Sequence, residues 1–481
     1  MLFSRKHEED FDDDLDEYPD DDLDDDYDDE EEDSEEDRPH GSGLIIFPIL
    51  VELAFAGLLF IKSSAAALQY LYALVPVLLG TSLVGTYVYN RDGDMKLFSA
   101  IAILNSAGIA FQMLSDQIYP VTSQYSIIKT LIGFLIAVLF VLFYRILRRL
   151  LEHSYMAWFM MIFSALVYIL LIVKGTDPNG YGTTAWLSVG NYTIQMTDLT
   201  KIAGIFFYAS LFSSRMGRSD RQILSMSNLF MIVNAAGSVM IHELGSLFIL
   251  FFLHLSILYI FMNRGTRKRI YLLVVFFSVI AGIGVCFALY KAMLPAANAG
   301  TLNSVENVLW PVVKKVYTRF SVTANIQSDP YGAGYQLLQG KIALWTAGLF
   351  GNTVNFTGIP LAYSDMAFPA FVSQFGFVPG LILILLFARI FISGSEISRN
   401  LVSVNKADAV VVYGASVLIF LQAMIVILGS CNLIPFTGLP IPFLSRGGTY
   451  QMIVFCFCGL LLNMSENDGY GPLKGDSEYD E

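Results

Sequence analysis

The chain has 481 residues, of which 55% are hydrophobic and only 15% charged, with a formal net charge of −14. Residues 1–40 hold 23 acidic against three basic side chains, while the other 441 carry 20 acidic against 26 basic, so an acidic tail precedes a basic, very apolar body. Such a body is too poor in charge for a soluble enzyme or a nucleic-acid binder, and its repeated apolar runs of about 20 residues, the length that crosses a hydrocarbon core, predict an all-α polytopic membrane protein.

In chain order, the tail to His40 is nearly pure Asp and Glu and cannot bury enough surface to offset its ordering entropy, so disorder is expected there. It reads as a solvated charge run, with docking of a basic partner as the sharper alternative. Forty polar residues before the first apolar run argue against a cleaved signal peptide and make the run from Leu44 a signal anchor. Twelve apolar segments follow, near 44–61, 67–89, 97–115, 127–147, 155–173, 200–214, 223–241, 245–262, 270–290, 368–392, 409–429 and 450–464. The stretch 223–262 is too long for one span and is divided at His242, Glu243, Leu244 and Gly245. Cys286, Cys456 and Cys458 lie inside apolar runs and Cys431 in a loop, which predicts no disulfide.

Basic residues mark every second connection: Arg91 and Lys96; Arg145, Arg148 and Arg149; Arg215, Arg218 and Arg221; then Arg264, Arg267, Lys268 and Arg269. Because short cytoplasmic loops collect Lys and Arg, both termini are expected in the cytoplasm. Two loops, 174–200 and 291–367, then face outward. The second is too long to be structureless without a function, and is expected to hold short helices on the outer membrane face. Gly332, Ala333 and Gly334 within it resemble a dinucleotide turn only superficially, since no βαβ unit surrounds them.

Ionisable residues near membrane depth are costly, so each is a functional candidate. Asp198 and Lys201 are three residues apart on one helix face, and spacing alone favours a local ion pair. Glu243 falls at the predicted turn, and Asp365 stands between a polar loop and an apolar helix, where a carboxylate could act as a base on a lipid-linked substrate. Glu52, inside the first span, reads as structural. The five histidines and four cysteines show no zinc-ligand spacing, and no serine lies in a G-x-S-x-G elbow.

Five blocks then occur in order: WLSVGNYTIQMTDLTK at 186–201, HELGS at 242–246, GYQLLQGKIALWTAGLFG at 334–351, Ser364-Asp365 before MAFPAFVSQFGFVPG, and TGLPIPFLSRGGTYQ through GLLLNMS at 437–465. Together they resemble the SEDS family of peptidoglycan glycosyltransferases, with the first five spans alike only in hydropathy. The resemblance implies about 12 transmembrane helices, a ten-helix core plus two at the amino-terminal side, and a large extracytoplasmic loop. Its organisation would be a 1–40 tail, amino-terminal helices over 41–173, a glycosyltransferase core over 174–465 with the loop 291–367, and a 466–481 tail.

The resemblance further implies a bacterial cytoplasmic membrane enzyme that polymerises lipid II into β-1,4 glycan strands and releases undecaprenyl diphosphate. Asp365 falls on the family's essential aspartate. Asp198 and Lys201 fall on its membrane-boundary Glu and Lys, and Glu243 on its Asp-Leu-Gly carboxylate. Arg319, Gln336 and Ser445 are further substrate-binding candidates, with Lys201 and Arg319 on the departing diphosphate. A divalent cation, Mg or Mn, could assist, and no cofactor is built in. Expected partners are lipid II, a class B penicillin-binding protein and other divisome or elongasome proteins. The chain departs from the family pattern at Met196, Ser373, Gln374 and Arg446. The rival readings are a lipid II flippase, with the same charges lining a path, and a non-catalytic scaffold.

Overall fold

The computed structural model describes residues 43–466 apart from 119–123, 179, 181, 191, 214–216, 264, 353–357 and 447. The acidic amino-terminal tail and the carboxy-terminal residues from 467 lie outside the described residues. Every apolar segment falls on a helix, as a chain in lipid requires, because only a helix or a closed barrel pairs all its backbone groups internally. The first five are α1 (Gly43–Lys62), α2 (Ser64–Asn90), α3 (Met95–Ile118), α4 (Gln124–Leu151) and α5 (Ser154–Lys174). After a short hairpin come α6 (Thr197–Phe212), α7 (Asp220–Met240), α8 (Gly245–Phe261) and α9 (Thr266–Ala299). Then follow α10 (Ser304–Ala324), α11 (Ala333–Thr346), α12 (Ala367–Phe375), α13 (Phe377–Leu401), α14 (Lys406–Ser430) and α15 (Gly448–Met464). Nine of the described helices are long and apolar enough to cross a membrane, and α8 and α15 are shorter apolar helices. The protein is an integral membrane protein of the all-α class.

The stretch 223–262 does divide at its polar break: α7 ends at Met240, His242 takes φ 57°, and α8 begins at Gly245. The segment expected at 368–392 is instead two helices. Gly376, at φ 97°, ends α12, and the N–H groups of Phe377 and Val378 donate to the carbonyls of Gly348 and Leu349 rather than into a continuing ladder. A crossing strand of chain has replaced a helical turn. The loop 174–200 carries the antiparallel pair β1 (Trp186–Val189) and β2 (Tyr192–Gln195), turned through Gly190 at φ 60°. Within 291–367, α9 continues to Ala299, α10 starts on a capping box of Asn303 and Glu306, and α11 follows.

Among the nine helices long enough to cross a membrane, α3 and α14 are the most buried, whereas the apolar stretch of α9 is wholly unburied. The first pair, α1 and α2, is fastened to α3 by Glu52, whose Oε1 accepts from Thr81 Oγ1 at 2.6 Å and Ser106 Oγ at 2.9 Å. That bears out the structural reading of Glu52. At the far end of α6, Arg218 donates to the carbonyls of Ser210 and Leu211, closing the helix with a cation where its dipole is negative. The 16 residues of α6 therefore separate Asp198 from this basic end by roughly 20 Å.

Candidate active site

Several short stretches converge at the Asp198 end of the bundle: the start of α6, the α7–α8 turn, one face of α10, the first turns of α11, and the segments around 360–365 and 436–450. They enclose a cavity of about 950 Å³. Asp365 lines it, half-buried, one residue beyond a hydroxyl that donates to it: Ser364 Oγ to Asp365 Oδ1, 2.7 Å. The turn before it is tight. Leu361 adopts φ 52°, and its carbonyl accepts from the N–H groups of Ser364 and Met366. A leucine held in that region costs of order 1–3 kcal/mol, so neighbouring contacts must over-determine the turn.

Those contacts come from residues 437–446. Ser445 Oγ donates to the Ser364 carbonyl at 2.6 Å and accepts from the Ile441 N–H at 2.9 Å, while the Arg446 N–H donates to the Tyr363 carbonyl. A Cβ on Gly438 would stand 3.5 Å from Asp365 Oδ2, so this segment backs the carboxylate closely. The segment is itself gripped by α3. Gln112 Nε2 donates to the carbonyls of Phe443, Leu444 and Ser445, and Gly108 admits the Phe443 carbonyl to within 2.3 Å of where a Cβ would be. Burial pushes the Asp365 carboxyl above the ordinary aspartate range, against the opposing pull of the Ser364 hydroxyl and the Arg319 guanidinium.

Opposite lies a cationic wall. Lys315 and Arg319 are one turn apart on α10 and both line the cavity with Lys314. Lys315 Nζ donates to Thr183 Oγ1 and to the His242 carbonyl, the latter at 2.9 Å. Burial, then the adjacent Arg319, lower its pKa to about 8 despite the attraction of Glu243 and Asp177. Arg319 is depressed by burial too, with Glu243 and Asp365 as the two carboxylates that favour its charge. A further cation, Arg446, pairs with Asp116 of α3 and lies over the Tyr363 ring, 5.0 Å from its centroid.

The expected ion pair of Asp198 and Lys201 is present, at 2.7 Å and fully buried. Lys201 Nζ also reaches Gln422 Oε1 at 3.1 Å, and Gln422 Nε2 donates to the Pro440 carbonyl at 2.9 Å. Through Gln422, Lys201 is thus tied to the 437–446 segment that backs Asp365. Of the seven residues singled out from sequence, Asp365, Asp198, Glu243, Arg319 and Gln336 line the cavity, whereas Lys201 and Ser445 stand behind its wall. Glu243 Oε1 accepts from the Ser246 N–H at 3.0 Å, closing the start of α8. The other oxygens of Asp198 and Glu243, and the amide nitrogen of Gln336, are buried without a hydrogen-bond partner among the described residues. Unpaired polar atoms around one cavity fit a ligand that brings its own donors and acceptors. Sequence reading missed Lys315 and the α3 grip. Among the described residues no three carboxylate, imidazole or thiolate groups gather into a metal-ligand cluster.

Residues 94–470 match the model of the cell cycle protein family FtsW/RodA/SpoVE. The chain belongs to that family. The match begins at α3 and leaves α1 and α2 outside it, as a ten-helix core with two added amino-terminal helices would. Among relatives, Stage V sporulation protein E of Bacillus subtilis is 26% identical over 316 residues, covering 65% of this chain and 79% of that protein. Peptidoglycan glycosyltransferase RodA of Mycobacterium bovis is 24% identical over 396 residues, 77% of this chain and 78% of that one. A chain of a peptidoglycan synthase complex, described as coordinating polymerisation and crosslinking, superposes with TM-score 0.57 at 19% identity, over 79% of this chain and 98% of that chain. The likeness establishes a shared fold for the FtsW/RodA/SpoVE-type core.

Proposed function

We propose that this family member is a peptidoglycan glycosyltransferase that polymerises lipid II into β-1,4 glycan at the outer face of the cytoplasmic membrane. Relatives named peptidoglycan glycosyltransferase support the reaction class. The observation that carries the reading is a half-buried carboxylate, Asp365, facing a cationic helix across one cavity at the end of the bundle remote from the basic loops. Asp365 takes the proton from the GlcNAc 4-hydroxyl of the acceptor as that oxygen attacks the MurNAc anomeric carbon of the lipid-linked donor. The bond from that carbon to the diphosphate oxygen breaks with inversion, and undecaprenyl diphosphate leaves. The raised Asp365 pKa suits a base, and Arg319 and Lys315 supply charge to the departing diphosphate. No step here is assigned to Mg or Mn.

Lys201 and Ser445 act in this scheme as positioning residues, through Gln422 and Ser364. A class B penicillin-binding protein is the proposed partner, supported by the fold shared with a synthase complex in which polymerisation and crosslinking are coordinated. Purified protein given labelled lipid II is expected to make polymer, and Asp365→Asn to abolish it, a loss of at least a hundredfold. Polymer at an undiminished rate from Asp365→Asn would remove this carboxylate from the reaction.

A further inference from the structure

One face of α11 carries an apolar stripe that no other part of the described protein covers. Leu338, Ile342 and Trp345 recur at helical spacing and are 43, 38 and 88% exposed, while Tyr335, at the start of the helix, lines the cavity. Just beyond the helix, Leu349 and Phe350 continue the patch at 63 and 76%. The opposite face of the same helix is packed: Leu337 and Ala343 are buried, Gln336 points its unpartnered amide nitrogen into the cavity wall, and a Cβ on Gly340 would stand 2.3 Å from Met366 Cε, the residue after Asp365. A helix apolar on both sides has two partners. The interior is one.

We infer that the exposed stripe of α11 is sunk in the headgroup–acyl boundary of the bilayer and that this anchorage fixes the depth of Asp365 relative to the lipid phosphates. Three observations select the membrane as the occupant. The stripe is continuous with lipid-facing surface, because Gly348 and Leu349 accept the N–H groups of Phe377 and Val378, and α13 goes on with exposed Phe377, Leu381 and Leu385. Its chemistry, Trp345 among Leu338, Ile342, Leu349 and Phe350, is that of an interfacial belt. Lys341 is the single charged residue in α11, which offers little for a charged protein surface to pair with. The 14 residues of α11 span about 21 Å, too short to cross a core of about 30 Å, so the stripe lies within one boundary. With Gly340 against Met366, α11 behaves as a rigid float beneath the turn that carries Asp365. In the glycosyltransferase reading, on which the depth argument rests, it lets the substrate diphosphate meet Arg319 without leaving the headgroup layer.

The anchorage can be tested without any chemistry. Full-length protein and its Trp345→Phe variant are placed in phosphatidylethanolamine–phosphatidylglycerol vesicles carrying phospholipid brominated high on the acyl chain. Bromolipid quenching of the wild type should exceed that of the variant, and the Trp345 contribution should resist aqueous acrylamide. Equal bromolipid quenching in the two proteins, or acrylamide quenching of Trp345, would overturn the inference, and would be the result were the stripe reserved for a protein partner or left in water. A second variant reads the depth claim. Ile342→Asp should lower polymer formation about tenfold in vesicles yet leave it near the wild-type rate in detergent micelles, which impose no bilayer depth. Equal loss in both media would assign the stripe a packing role and overturn the claim. Failure of the glycosyltransferase reading shows itself differently, as wild-type protein that makes no polymer in either medium while the quenching result stands.

Discussion

In the proposed reaction Asp365 as a base must be ionised, and Lys315 as a partner for diphosphate must be protonated, so the two groups would bound the working range from opposite sides. Burial raises the Asp365 carboxyl, and activity is therefore lost on acidification at a higher pH than an ordinary aspartate would give. Lys315, lowered to about 8, loses its charge as pH rises through that value, and the rate falls with it. The expected profile of kcat/KM is a bell whose alkaline limb lies near pH 8. Lys315→Arg should carry that limb upward, because a guanidinium stays charged. Lys315→Met should leave a flat profile above neutrality, about tenfold lower. An alkaline limb unmoved by Lys315→Arg would assign it to another group. Spacing alone exposed the Asp198–Lys201 pair, since three residues on one helix face fix the contact. It could not expose the path from Lys201 through Gln422 to Pro440, in which Lys201 and Gln422 are 221 positions apart in sequence, nor that both lysines of α10 line the cavity.

Among the elements, hydropathy was a sufficient guide wherever one helix filled one apolar run, and it failed where backbone meets backbone. The break between α12 and α13 shows why. A Cβ on Gly376 would lie 2.1 Å from the Leu349 carbonyl, and one on Gly351, at φ 92°, 2.1 Å from the Gln374 carbonyl. Two chain segments thus cross at paired glycines, with no side chain whose polarity would signal it. Gly376→Ala must move backbone as well as adopt a strained φ, at a cost of about 3 kcal/mol or more. Gly80→Ala, in α2, is the control, because its Cβ would meet nothing within 4 Å and alanine favours a helix. Thermal unfolding in detergent should show a much lower midpoint for Gly376→Ala and an unchanged or higher one for Gly80→Ala. A midpoint for Gly376→Ala within a degree or two of wild type would mean that the crossing is not held this tightly. The β1–β2 hairpin escaped sequence reading because four-residue strands are too short for alternation to stand out, and the turn is marked only by the dipeptide Gly190-Asn191.

Across the described helical bundle, the cavity and the basic loops lie at opposite ends, and that polarity decides which solution the cavity meets. Arg148, paired with Asp408, and Arg218, on the α6 carbonyls, sit at one end, while Asp198, Glu243 and Arg319 gather at the other. The proposed topology, with Lys and Arg retained on the cytoplasmic side, places the cavity outside. A lipid-linked sugar facing outward could then reach Asp365 while its tail stays in the bilayer. In a background without native cysteines, Tyr331→Cys, 97% exposed beside the cavity, and Ser219→Cys, exposed at the basic end, report the two sides separately. A membrane-impermeant maleimide should label Tyr331→Cys in intact cells, and Ser219→Cys only after the membrane is opened. The reverse pattern would turn the cavity inward, where no outward-facing substrate could enter it, and would leave Asp365 without a role in extracytoplasmic polymerisation.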